Sequence, residues 1–224
     1  MEGDTSSQVA SLLNDAQLMT NTDSKKLDSL KKVQELIVNK DPNLLDNFLD
    51  EVLAFQTDRS HDVRKFVVGF IEEACKKDPN ILSRVIPNLR MMLNLHNESV
   101  DVVKRVIRAM TFLYKLCLQW LSKVKVINEN MEAVWSLISE MKTDIIQMLD
   151  SDNDGIRTHA IKFMEMLVIV QTHHEETNGK DNANFSLDDV PMTLKLIRRR
   201  KLEEEARAVF DKLIDFHGSA HISR

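Results

Sequence analysis

One short pattern occurs three times in this chain of 224 residues: an apolar helix runs into an acidic turn and leaves it on an apolar–basic pair. The three turns lie at residues 58–64, 98–104 and 150–157. Behind each turn, apolar side chains recur at the three- and four-residue spacing that places them on one face of an α-helix. This repetition limits the choice of fold, because a helical pair leaves an apolar face that only a neighbouring pair can cover.

The basic residues of the three pairs are Arg64, Lys104 and Arg157, at intervals of 40 and 53 residues. About 40 residues per two-helix unit is the period of HEAT and armadillo repeats. The sequence therefore predicts an all-α fold, a right-handed α-α superhelix of about five helical pairs, as a single HEAT/armadillo-like domain over residues 1–224. We interpret the three basic residues as a structural ladder, in which each meets an acid from a neighbouring turn.

Composition supports a helical globular protein. Five glycines, four prolines and 5 % aromatic residues leave little material for a turn-rich β fold. The net charge of −5 excludes a generally basic nucleic-acid binder but leaves room for a local basic patch. Cys75 and Cys117 lie within apolar helical patterns and are expected to be reduced core residues. We find no signal-peptide pattern and no membrane-spanning apolar run of about 20 residues.

The pattern predicts a succession of helices, most of them separated by short turns. Residues 171–184 differ, because they contain no apolar residue except Ala183 and predict a mobile polar loop. Ser186 then begins a capping-box pattern for a short turn that ends at Pro191. The predicted helices lie at about 6–20, 27–37, 44–55, 63–76, 81–95, 100–124, 131–149, 156–170 and 193–217.

The third acidic turn also matches part of a calcium-binding loop. Asp150, Asp152, Asp154 and Gly155 occupy positions 1, 3, 5 and 6 of an EF-hand. Position 12, however, is Ile161, which cannot supply the bidentate carboxylate that calcium needs. We favour a capping role instead, with Asp152 or Asp154 as the N-cap of the next helix and Gly155 easing the turn.

No metal, cofactor or catalytic site is expected. The run from His173 to Glu176 contains two histidines and two glutamates, but neighbours in a flexible loop face apart. His159 lies on a buried stripe and is interpreted as a hydrogen-bonded core histidine. We find no Ser-His-Asp or Cys-His arrangement and no phosphate-binding glycine loop, so we predict that the protein is not an enzyme.

The densest basic run extends from Arg198 to Lys201. It could contact RNA phosphates or act as a nuclear-import signal. Because Glu203, Glu204 and Glu205 follow at once, salt pairs on a solvated helix face are the favoured interpretation. Trp120 and Trp135 stand among apolar residues at helical spacing and are interpreted as core residues.

A more specific resemblance rests on five runs: residues 32–37 (KVQELI), 44–51 (LLDNFLDE), 63–67 (VRKFV), 69–76 (GFIEEACK) and 149–163 (LDSDNDGIRTHAIKF). They resemble the N-terminal domain of the symplekin family. The resemblance implies a HEAT-repeat scaffold that serves pre-mRNA 3′-end cleavage and polyadenylation and histone pre-mRNA processing. We expect the protein in the nucleus, with the cytoplasm as a second location. Since the family's solenoid continues beyond this sequence, we expect a fragment or short form; loop 171–184 is outside the shared motif.

The resemblance also implies partners. One is a phosphatase that acts on serine 5 of the RNA polymerase II C-terminal domain, docks on the concave surface and is stimulated there; others are further cleavage and polyadenylation factors. The family's phosphatase-contacting lysine falls in the run Thr-His-Ala-Ile-Lys-Phe, as Lys162. We expect a monomer with no membrane partner and no direct RNA contact. An RNA-contacting helical repeat and a transport adaptor of the same fold remain alternative functions.

The repeat pattern itself also singles out Lys162. In helical repeats the second helix of each pair lines the inner surface. Lys162, Glu165 and Ile169 lie off the buried stripe of the eighth helix, and the earlier copies have Gly69 and Ala109 at the offset of Lys162. A charge in place of a small residue makes Lys162 a candidate partner contact, with a plain solvated lysine as the alternative. Three residues of the sixth helix are expected to border this surface: Arg108, Tyr114 and Lys115.

Overall fold

A computed structural model of the chain describes residues 2–18, 20–93, 96–173 and 185–222. All regular secondary structure in these ranges is helical, which confirms the predicted all-α solenoid class. The described α-helices are α1 (Glu2–Gln17), α2 (Asp23–Gln34), α3 (Leu45–Leu53), α4 (His61–Lys77), α5 (Leu82–Met92), α6 (Val100–Lys123), α7 (Glu129–Gln147), α8 (Asp154–Val170) and α9 (Arg199–Ile222).

The chain separates into two compact units. Unit 1 comprises Met1–Ala109 and unit 2 comprises Met110–Arg224, so their boundary falls within α6. The prediction of one domain over residues 1–224 stays a prediction, and the two units are described separately below.

In unit 1, two Asp-Pro-Asn sequences separate successive helices. A π-helical turn, Glu35–Lys40, extends α2 and is followed by the 3-10 turn Pro42–Leu44. The second sequence forms the 3-10 turn Pro79–Ile81, where the Asp78 carboxylate accepts a hydrogen bond from the Asn80 amide at 2.9 Å. Proline suits the first position of such a turn, because the amide that it lacks would have no partner there.

Helix α4 contributes one buried face to the core of unit 1. Its predicted stripe, from Val63 to Ala74, is fully buried except for Phe66, which is half-buried. The prediction of buried, unbridged cysteines is confirmed for Cys75 and also for Cys117 of unit 2. Burial raises the pKa of the Cys75 thiol to about 12, with a smaller contribution from Asp78, so this sulfur stays protonated at neutral pH.

In unit 2, the third acidic turn caps α8 in a way that differs from the prediction. The side chain of Asn153, and not that of Asp152 or Asp154, accepts the hydrogen bond from the Ile156 amide at 3.1 Å. Asn153 has extended backbone angles, whereas Asp154 is already the first helical residue. An N-cap side chain must reach the third residue of the helix, and from this register only Asn153 does so. Gly155 lies inside the helix with an ordinary negative φ.

The segment between α8 and α9 is more ordered at its ends than its polar sequence suggests. Gln171, the first residue of the predicted mobile loop, is fully buried. Residues 174–184 lie outside the described residues. The capping box at Ser186 is confirmed, since its hydroxyl accepts from Asp188 while its amide donates to the Asp189 carboxylate at 2.8 Å.

The last helix begins at Arg199, later than the predicted residue 193. Turns occupy the residues before it, where the Leu194 amide donates to the Pro191 carbonyl at 3.0 Å. Leu194 and Ile197 are both buried in these turns. The prediction counted Leu196 in the apolar stripe of the helix, but this residue also lies in a turn.

Candidate protein-interaction surface

One face of α8 is exposed along its length. Lys162, Glu165 and Ile169 lie on this face, at successive spacings of three and four residues, and we call them the α8 face. The side chain of Ile169 is 59 % exposed and follows the two charged residues on this face. The opposite face of α8 is buried in unit 2 through Ile156, Ala160, Phe163, Met164, Leu167 and Val170.

The two charges of the α8 face have no ion-pair partner among the described residues. Lys162 and Glu165 are three residues apart, a spacing at which opposite charges on a helix often pair. Such pairs do form elsewhere, for example between Lys65 and Asp62 at 2.8 Å. Both charges of the α8 face are therefore free to meet a binding partner.

The positions that match Lys162 in the earlier copies have different surroundings. A Cβ atom on Gly69 would lie 3.2 Å from Nη2 of Arg105, and that guanidinium forms a 2.9 Å ion pair with Glu72. Ala109 is fully buried. Neighbouring groups approach or cover these two positions, whereas Lys162 is exposed. Equal offsets in the repeat therefore do not give equal environments.

The three predicted residues of α6 lie in different environments. Arg108, in unit 1, is exposed and Lys115, in unit 2, is half-buried. Tyr114 is fully buried, so the prediction that it borders a partner surface does not fit its position. The reason is that the apolar stripe of α6 continues into unit 2 and takes the tyrosine ring into the core.

Tyr114 belongs to a buried polar network in unit 2. Its hydroxyl donates to Oε1 of Gln171 at 2.6 Å, and burial raises the Tyr114 pKa well above its ordinary value. Nε2 of Gln171 donates to the Leu202 carbonyl at 2.8 Å and to the Glu205 carboxylate at 3.0 Å. The same carboxylate forms an ion pair with Lys142, at 2.7 Å between Oε2 and Nζ. Side chains of α6, α7 and α9 and the residue that follows α8 are thereby joined by polar contacts.

Aromatic rings complete this network. The ammonium of Lys142 lies 5.4 Å from the ring centroid of Tyr114 and 5.8 Å from that of Trp135. Tyr114 also contacts Phe163 edge-on, at 6.1 Å between centroids. The rings and Glu205 together offset the cost of removing the Lys142 charge from water.

Sequence reasoning missed Lys142, Gln171 and Glu205. One signal was available, since Lys142 falls four residues after the buried Ile138, on the edge of the apolar stripe of α7. A lysine at such a position needs a partner. No local pattern indicated Gln171, because its partners come from other helices.

The two arginines of the predicted ladder, Arg64 and Arg157, each make the same kind of contact with their own turn. Nη1 of Arg64 donates to the Asp58 carbonyl, and Nη1 of Arg157 donates to the Ser151 carbonyl, both at 2.6 Å. Each acceptor lies six residues upstream, at the start of the acidic turn. The guanidinium thus fixes the turn against the first residues of the helix that follows.

The acidic partners of the ladder residues differ. Arg64 forms a 2.6 Å ion pair with Glu98 of the next turn, as the ladder interpretation requires. Lys104 pairs at 2.7 Å with Asp101, and Arg157 pairs with Asp154, each within its own turn. Only the Arg64 pair therefore joins one repeat to the next.

The described residues contain no group of three or more His, Cys, Asp or Glu side chains that could hold a metal ion. His173 contacts the Asp188 carboxylate at 2.6 Å, while residues 174–176 of the same run lie outside the described ranges. His159, predicted to be a core histidine, is half-buried, with Nδ1 2.7 Å from the Gly155 carbonyl. Within the described residues, no helix combines the length and apolar character needed to cross a membrane.

The packed helices of the described residues define an all-α helical-repeat protein of the solenoid class. A family model described as Symplekin/PTA1 N-terminal matches residues 99–224, which is more than half of the chain, and the chain belongs to this family. The matched residues begin at the second acidic turn and include α6 to α9. Family membership indicates a scaffold role in nuclear mRNA 3′-end processing, and domains of this family are generally non-catalytic.

Proposed function

We propose that this protein is a non-enzymatic scaffold of pre-mRNA 3′-end cleavage and polyadenylation and of histone pre-mRNA processing in the nucleus. Its α8 face binds a phosphatase that removes phosphate from serine 5 of the RNA polymerase II C-terminal domain, and this binding stimulates the phosphatase. Further cleavage and polyadenylation factors are the other partners. The proposal rests on family membership and on the exposed, unpaired state of the α8 face.

The single observation that carries the α8 face as the docking site is the combination of Ile169 with two unpaired charges. Ile169 offers an apolar anchor that is 59 % exposed. Lys162 and Glu165 offer one cation and one anion on the same side of the helix. An exposed apolar side chain beside charged groups gives such a patch both an apolar contact and polar specificity.

These three side chains set requirements for the partner. It must place a carboxylate opposite Lys162 and a cation opposite Glu165, and it must cover Ile169 with apolar side chains. The two charges are desolvated when the partner binds, so each needs its counter-charge to avoid a net cost. Because Lys162 precedes Glu165 along α8, the partner must present its carboxylate and its cation in the matching order, which fixes its orientation along the helix.

Titration calorimetry with the purified phosphatase tests the proposal. We expect Lys162→Glu to raise the Kd at least about tenfold, because it places like charges in contact. Stimulation of dephosphorylation of a serine-5-phosphorylated heptad peptide should fall in parallel. A charge-reversed acid on the phosphatase, identified by cross-linking to residue 162, should restore binding to Lys162→Glu.

Lys32→Glu is the matched control. Lys32 is exposed on α2 and has no ion-pair partner among the described residues. We expect its Kd to stay within about twofold of that of the unaltered protein. Unchanged affinity and stimulation in Lys162→Glu would refute the proposed docking site. A parallel gel shift with single-stranded RNA tests the alternative of an RNA-contacting repeat.

A further inference from the structure

Two adjoining depressions lie on unit 2, apart from the residues of the α8 face. The first has a volume of about 400 Å³ and lies between α7 and the start of α9, with Trp135 in its wall. The second, of about 920 Å³, lies between the α6–α7 connection and the turns that precede α9. Leu196 lines both, so the two depressions are neighbours, and we call them together the α7–α9 groove.

The rim of the groove is strongly basic. Each of its five exposed cations lacks an ion-pair partner among the described residues. They are Lys123, Lys125, Lys195, Arg198 and Lys201. This local excess contrasts with the net charge of −5 for the whole chain.

Among the described residues that line the groove, two carry carboxylates. Glu205 is neutralised by its 2.7 Å ion pair with Lys142. Glu132 is exposed and is the one lining carboxylate without an ion pair within the described part of the chain. The groove therefore has an uncompensated positive charge, and an anionic ligand would be attracted to it.

The walls of the groove are apolar as well as basic. Leu196, Val124 and Ile127 line it and are half-buried, while Leu194 is 9 % exposed. Ser122 also lines the larger depression, although its hydroxyl oxygen is buried and has no hydrogen-bond partner among the described residues. A ligand that combines apolar side chains with hydrogen-bonding groups would fit these walls.

We propose that the α7–α9 groove binds an extended acidic peptide of a partner protein, in which carboxylates alternate with apolar side chains. The carboxylates pair with the exposed cations along both depressions, and the apolar side chains cover Leu196 and its neighbours. Arg198 and Lys201, the two ends of the basic run, acquire a specific role in this arrangement, because both line the groove.

The walls favour a peptide over RNA. Trp135 is the one aromatic side chain among the described lining residues. Its ring is already in contact with the Tyr114 ring, at 5.9 Å between centroids, and with the Lys142 ammonium. Single-stranded RNA binding depends on several aromatic platforms for its bases, and this groove offers none that is free within the described lining.

Fluorescence anisotropy with the full chain and three labelled 12-residue peptides tests the proposal. One peptide alternates Glu and Leu, a second alternates Glu and Ser, and a third alternates Lys and Leu. We expect the Glu–Leu peptide to bind at least about fivefold more tightly than the Glu–Ser peptide, and the Lys–Leu peptide not to bind. Failure of the Glu–Leu peptide to bind would overturn the proposal.

A triple variant of the groove, Lys125→Glu with Lys195→Glu and Lys201→Glu, should weaken Glu–Leu binding at least about tenfold. The triple Lys→Gln variant of the same positions should weaken it less, and it provides the test if charge reversal impairs folding. The matched control reverses three exposed lysines of α2, which have no ion-pair partner among the described residues: Lys25, Lys31 and Lys32.

The control variant should change peptide affinity by less than about twofold. Equal losses in the groove and control variants would mean that only net charge matters, and this would overturn the proposal. A labelled U12 RNA is measured beside the peptides. If the groove variant loses RNA binding but keeps peptide binding, the ligand is a nucleic acid and the proposal is wrong. None of these measurements depends on the phosphatase.

Discussion

The hydroxyl of Tyr114 donates a 2.6 Å hydrogen bond to Gln171, and both side chains are completely buried. The bond joins the middle of α6 to the first residue after α8, 57 positions later in the chain. Gln171 then donates to the Leu202 carbonyl and to Glu205 on α9. The glutamine that opens the polar segment therefore anchors the last helix of unit 2.

Removing this hydroxyl should destabilise the protein without emptying the core. Tyr114→Phe leaves the Gln171 oxygen buried without its donor, which costs about 1–2 kcal/mol of unfolding free energy. Urea unfolding followed by circular dichroism measures the change. Combining Tyr114→Phe with Gln171→Leu provides the control as a double-mutant cycle. Simple additivity of the two single changes would contradict a direct contact.

Lys142 should contribute to stability although it is charged. It is 5 % exposed, between Glu205 and the two aromatic rings. Lys142→Ala should lower the unfolding free energy by about 2 kcal/mol, because Glu205 loses its partner and a cavity opens beside the rings. Lys201→Ala, at an exposed position nearby on α9, should change it by less than about 0.5 kcal/mol. Similar values for the two variants would refute a structural role for Lys142.

Glu98 should make unit 1 sensitive to acid. Burial raises the pKa of Glu98, but hydrogen bonds from Arg64 and from the Ser99 amide outweigh it and hold this pKa below the ordinary value of 4.5. A lowered folded-state pKa gives stability that is present above about pH 4.5 and is lost as the pH falls through the folded-state value. Glu98→Gln should therefore be less stable at pH 7, by about 1–2 kcal/mol, and the difference should shrink below about pH 4.5.

Urea titrations at several pH values measure this dependence. The matched control is Glu51→Gln, since Glu51 is exposed and has no ion-pair partner among the described residues. The control should stay close to the unaltered protein at every pH. A difference between Glu98→Gln and the unaltered protein that is the same at pH 7 and pH 3 would contradict the assignment.

The N-cap of α8 distinguishes the observed register from the predicted one. Asn153→Ala should lower stability by about 1 kcal/mol, because the Ile156 amide loses its acceptor. Asp152→Ala should have little effect, since this exposed side chain does not cap the helix. Thermal unfolding of both variants measures the difference. A larger loss of stability in Asp152→Ala than in Asn153→Ala would instead support the aspartate N-cap that the sequence suggested.

Ile169→Asp should separate binding from folding. The side chain is 59 % exposed, so the change should leave the melting temperature nearly unaltered while it removes the apolar anchor from the α8 face. We expect phosphatase affinity to fall at least about tenfold. Leu18→Asp, at a position that is 52 % exposed in unit 1, is the control. Equal affinities for the two variants would count against the α8 face.

Much of the fold could be predicted because helical periodicity is a local property. Apolar spacing predicted α4, α6 and α8 to within a few residues at most ends, and proline and capping residues marked several of those ends. The errors also have local causes. Asn153, and not a neighbouring aspartate, is the N-cap of α8, because the backbone angles decide which side chain reaches the Ile156 amide. The spacing of Leu194 and Ile197 suits a helix, but tertiary packing holds them in turns.

Some residues of the candidate sites could be predicted from the sequence, and others could not. Lys162 could be selected from its place off the apolar stripe, and the structure finds it exposed. Tyr114, on the same helix as Arg108, was misplaced because a helical pattern shows which side is apolar but not how far a neighbouring helix covers its edge. The groove could not be predicted at all, since α7 and the turns before α9 are far apart in the sequence.

The sequence by itself determined the helical class, the repeat of acidic turns and the family, since each depends on residue order over short distances. Only the tertiary structure decided which polar side chains are buried and which charges remain unpaired. Gln171, Lys142 and Glu205 meet across three segments, and the exposed cations of the groove form no ion pair within the described residues. The physical reason is that desolvation and ion pairing depend on distances through space, which residue order alone does not fix.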